Sequence, residues 1–109
     1  MRKIVWIVIV LFGLMVSDKA MAAKGVVVYF DNYSSQKMVI YDSSLGTFSC
    51  GETLVGGYLT LERDVVVGDI SSLGVQELYN LRTDETFSIF IEECYLDVES
   101  AQAWLRDNY

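Results

Sequence analysis

Short runs rich in β-branched and aromatic residues, most of them bounded by glycine, asparagine, aspartate or serine, recur along the chain beyond residue 24 and read as strands. Val26-Val27-Val28-Tyr29-Phe30 and Lys37-Met38-Val39-Ile40-Tyr41 are the first two, with the polar segment 31–36 between them as a hairpin tip. Residues 47–50 read as a further strand, and 53–55 and 58–61 flank Gly56-Gly57, a pair that suits a tight hairpin turn better than a bulge. Val65-Val66-Val67 adds a short strand, and residues 86–93 a strong one that runs into Cys94.

Two segments read as helices instead. Leu73, Val75, Leu78, Tyr79 and Leu81 fall near helical spacing after Ser71 and Ser72, either of which suits an N-cap. From Asp97 to Arg106 a capping acid, an early Glu99 and a late Arg106 match the helix dipole, and Val98, Ala101, Trp104 and Leu105 share one face. The fold class expected is α+β: one small domain, mainly antiparallel sheet, with a short helix and a C-terminal helix packed on it.

Residues 1–22 are set apart by their layout. Arg2 and Lys3 precede an apolar run from Ile4 to Val16, and Ala20-Met21-Ala22 has the small-x-small pattern read by signal peptidase. The apolar run is shorter than the roughly 20 residues a spanning helix needs. A cleaved leader is expected at 1–22 and a single mature domain at 23–109, delivered to the periplasm without membrane insertion. Removing 22 of 109 residues leaves 87, a thin core for independent folding. Cys50 and Cys94 are the only cysteines, and in an oxidising compartment they are expected to form a disulfide contributing about 4 kcal/mol.

Without the leader, 14 acids face 5 bases, a formal charge of −9. That field repels nucleic acid, lipopolysaccharide and anionic lipid and favours cationic partners. Histidine is absent, so Ser-His-Asp and Cys-His systems cannot be assembled and zinc loses its commonest ligand. Paired carboxylates remain available for glycoside hydrolysis, but nothing singles out a pair. No calcium loop or phosphate-cradling glycine motif occurs. No catalytic, metal or cofactor residue is therefore assigned.

Recognition remains. Asp31, Asn32, Tyr33, Ser34 and Ser35 combine an aromatic with small polar groups as paratope-like loops do, and Tyr41, Asp42, Glu62 and Asp64 would extend them into an acidic patch. The function expected is that of a periplasmic inhibitor or immunity protein blocking the cleft of a cationic toxin or lysozyme-like peptidoglycan hydrolase. The alternative is an accessory subunit of a secretion or pilus assembly, pairing through exposed strand edges. A homodimer is compatible with both.

Overall fold

The computed structural model describes residues 23–108, so the leader expected at 1–22 lies outside the described residues. Six strands form in chain order: β1 (Ala23–Phe30), β2 (Lys37–Asp42), β3 (Thr47–Val55), β4 (Val65–Gly68), β5 (Gly74–Asn80) and β6 (Glu85–Leu96). One helix, α1 (Val98–Asp107), follows. The strands close into an antiparallel barrel in the order β1-β2-β3-β6-β5-β4, with β4 returning to pair with β1.

Period-two alternation fills the barrel. On β6, Phe87, Ile89 and Ile91 point inward while Phe90 and Glu92 face out. Met38 and Ile40 from β2, Val27 from β1, Val66 from β4 and Leu78 from β5 meet them, with Ile70 from the β4–β5 loop. A six-stranded barrel is narrow enough for these side chains to occupy its interior. Backbone proximity is tight where β3 crosses β6: a Cβ on Gly51 would lie 2.3 Å from the Phe90 carbonyl oxygen.

Outside the barrel, α1 covers β3. Ala101 and Trp104 pack on Val39 and Cys50, with Phe48, Leu96 and Leu105 around them. Asp97 caps the helix by accepting the Ser100 N–H at 2.8 Å. Trp104 donates its indole N–H to Glu92 at 3.3 Å, and Lys37 lies 5.8 Å from the indole centroid while pairing with Glu52. The C-terminal helix thus forms where the sequence places it and buries Ala101 and Trp104, with Leu105 beside them, whereas Val98 of the expected face is 49% exposed.

Four expectations are corrected. The architecture is a closed β-barrel with one helix, not an α+β sheet with two helices. The segment read as a short helix is strand β5. There Leu78 and the polar Asn80 are buried, whereas Val75, Glu77 and Tyr79 face out, so hydrophobicity does not track burial and the period of two is disguised. Gly56-Gly57 makes no tight hairpin; with φ of 80° and 82° the pair turns the chain across Phe87, and residues 58–61 belong to a loop crossing the barrel mouth.

The fourth is the disulfide. Cys50 and Cys94 are both free. Cys50 faces outward under α1, whereas Cys94 packs against the barrel interior. Irregular pairing causes this: Phe48 to Gly51 spans three steps on β3 while their partners Leu96 to Ile91 span five on β6. The extra residues form bulges that re-aim the side chains, leaving Glu93 opposite Cys50. Burial pushes the Cys50 thiol up to about 12, with Glu93 and Glu92 adding to the effect, and burial also raises Cys94.

Candidate recognition cleft

Antiparallel closure gathers the β1–β2, β3–β4 and β5–β6 loops at one end of the barrel. The β1–β2 tip is held by Asp31, which accepts the Tyr33 and Ser34 backbone N–H groups at 3.1 and 3.2 Å and the Ser34 and Ser35 hydroxyls at 2.8 and 3.0 Å. The Ser34 hydroxyl leads in holding the Asp31 carboxyl far below its ordinary range. Asn32 then ties the tip to the β3–β4 loop by donating its amide N–H to the Tyr58 carbonyl at 2.7 Å.

The β3–β4 loop is pinned to the β5–β6 hairpin. Arg82 donates through Nε to Asp64 Oδ1 at 2.7 Å and through Nη2 to Asp64 Oδ2 and the Leu59 carbonyl at 3.1 and 2.6 Å. Asn80, fully buried, donates to Asp64 and the Thr60 hydroxyl and accepts the Arg82 and Thr83 backbone N–H groups. Burial alone would raise the Asp64 carboxyl, but hydrogen bonds from Arg82, Asn80 and the Leu61 backbone outweigh it and bring it down to about 2.

Between these loops lies a cleft of about 510 Å³, with Phe30, Asn32, Tyr33, Tyr58, Glu62 and Arg82 among its lining. Its rim is apolar and solvent-facing: Tyr33 is 97% exposed, Tyr58 68%, Leu59 61% and Leu61 59%. Glu62 stands exposed at the edge, its carboxylate accepting only a long 3.4 Å contact from the Phe30 N–H among the described hydrogen bonds. Asn32 Oδ1 is buried and accepts no hydrogen bond among the described residues.

The residues singled out in the sequence divide into three groups. Asn32, Tyr33 and Glu62 converge on the cleft. Asp31, Ser34 and Ser35 belong to the same tip but are engaged in its own turn, and Asp64 stands behind the wall, bound to Arg82. Tyr41 and Asp42 lie at the opposite end of the barrel, where Asp42 is buried and accepts Ser44 and Ser71 hydroxyls at 2.6 and 2.8 Å. Thus no single acidic patch joins Asp42 to Glu62.

Sequence reasoning missed Phe30, Tyr58, Leu59, Leu61 and Arg82. Residues 58–61 form an apolar run that reads as a strand; the sole local signal was the preceding Gly56-Gly57 pair, which also fits a hairpin. Among the described residues no group of three potential His, Cys, Asp or Glu ligands is placed to hold a metal ion. Comparison with protein-family models, curated proteins and solved structures gives no significant match.

Proposed function

We propose that this chain is an exported inhibitor of the immunity type, which neutralises a cationic toxin or peptidoglycan hydrolase by seating the three-loop end of its barrel in the enzyme's cleft. The observation that carries the reading is the set of exposed Tyr33, Tyr58, Leu59 and Leu61 on loops pinned by Asp31, Asn32 and Asp64. Exposed apolar side chains grouped on one face mark contact surfaces, and tyrosine is a frequent anchor of interface energy. Loops already held in place lose little further freedom on binding.

Export is expected from the layout of residues 1–22, and the charge of −9 that remains favours a basic partner. The accessory-subunit alternative called for an exposed strand edge. Closure gives each of the six described strands a neighbour on both sides along part of its length, which leaves less free edge for such pairing.

The test is capture from envelope extracts with the purified chain, followed by assay of the captured protein on peptidoglycan. Recovery of one basic hydrolase or toxin, inhibited by the chain, is the expected result. Tyr33→Ala and Tyr58→Ala should each weaken it by about tenfold or more while leaving the melting temperature in place. Capture that survives both substitutions, or that brings down assembly components, sinks the proposal.

A further inference from the structure

We infer that the cleft between the three loops is a receptor for a basic side chain, arginine in particular, presented on a loop at the rim of the partner protein's own cleft. This rests on the inhibitor reading for its choice of partner, but its chemistry comes from the cleft itself. Three carboxylates stand in or near the cleft, and two are already committed. Asp31 holds its own turn, and Asp64 is bound by Arg82 and Asn80. Glu62 is the third, exposed at the edge, with one long backbone contact.

The surroundings suit a guanidinium. Tyr33 and Tyr58 present exposed aromatic rings on the same cleft, and a planar cation stacks on such faces. Leu59 and Leu61 offer apolar surface for the aliphatic stem. Arg82, the cation in the wall, does not oppose an incoming charge as a lone base would, because Asp64 neutralises it through two hydrogen bonds. The cleft volume of about 510 Å³ exceeds one side chain and admits flanking residues, so the site fits a loop carrying the basic group. A glycan would also use aromatic platforms and could hydrogen-bond to Glu62, but, being neutral, it gains nothing from the charge of −9 behind the site, which an arginine does.

The experiment titrates acetyl-arginine amide, acetyl-citrulline amide and a soluble peptidoglycan disaccharide into the purified chain, following the tyrosine ring resonances by NMR. Citrulline keeps the shape of arginine and removes its charge. Expected are saturable shifts of Tyr33 and Tyr58 with the arginine compound, at least tenfold weaker binding of the citrulline compound, and a comparable loss in Glu62→Gln. Glu62 is exposed, so that variant keeps the fold, which unchanged amide resonances elsewhere would verify.

Equal binding of arginine and citrulline, no shift up to about 50 mM ligand, or saturable binding of the disaccharide in the cleft overturns the inference. Its fate separates from that of the parent reading. Partner capture that needs Tyr33 and Tyr58 alongside a failed arginine titration removes the inference alone. Arginine binding that follows the expected pattern, with no basic partner ever captured, removes the inhibitor reading and leaves the site.

Discussion

Asp64 shows how a residue that looks like surface charge in the sequence becomes a structural joint. Its carboxylate ties the β3–β4 loop to the β5–β6 hairpin through Arg82, Asn80 and the Leu61 N–H. Because its pKa lies at about 2, below the ordinary 3.8, the stabilisation is complete above about pH 4 and is lost as pH falls towards 2. Near-UV circular dichroism and tyrosine NMR should therefore report loosening of the three-loop end in that window. Asp64→Asn should flatten the acid response and cost about 1–3 kcal/mol at neutral pH, since the amide cannot accept the Arg82 fork as a carboxylate does. An acid transition of unchanged size in that variant would assign the effect to other carboxylates. The cleft's acidic character was legible in the sequence only through Glu62, because a carboxylate's commitment depends on donors distant in the chain.

Among the elements, β3 is held on both sides, since it passes close against the β6 backbone at Gly51 and its outer face holds α1. Gly51 sits where β6 passes closest, and a methyl group there would meet the Phe90 carbonyl. Gly51→Ala should cost about 3 kcal/mol or prevent folding, readable by urea denaturation, because the methyl is fixed directly to the β3 backbone and the oxygen it meets belongs to the β6 backbone, so neither can rotate away. On the outer face, Trp104→Ala should cost about 3–5 kcal/mol by stripping the anchor that holds α1 on Val39 and Cys50. Loss of helical circular dichroism before barrel melting would accompany it. Helix α1 was readable in advance because its cap, dipole charges and apolar face agree. Strand β5 was not, because Asn80 is buried for its hydrogen bonds while Val75 is exposed, reversing the usual correspondence between polarity and burial.

At the scale of the molecule, the barrel holds without a crosslink. Closure supplies each strand with two neighbours, and the interior and the α1 interface form two separate apolar clusters. A reducing agent should then leave the melting temperature unchanged, whereas loss of a disulfide worth about 4 kcal/mol would lower it by about 15 °C or more in a domain of this size. Intact-mass measurement after alkylation under denaturing conditions should find both thiols free, and under native conditions Cys50 should resist alkylation because burial keeps it protonated. A crosslinked mass would overturn this. Local chemistry in the sequence determined where most strands lie, where the last helix begins, that Ala101 and Trp104 anchor it, and that the tip at 31–36 turns. Those features depend on neighbours within a few positions. Tertiary structure alone decided that the sheet closes, that bulges in β6 send Cys94 inward while Cys50 faces out, and that the loop after Gly57 crosses the barrel mouth to set Tyr58 and Glu62 beside Tyr33. Register, closure and loop path are settled by contacts between residues far apart in the chain, and no local pattern encodes them.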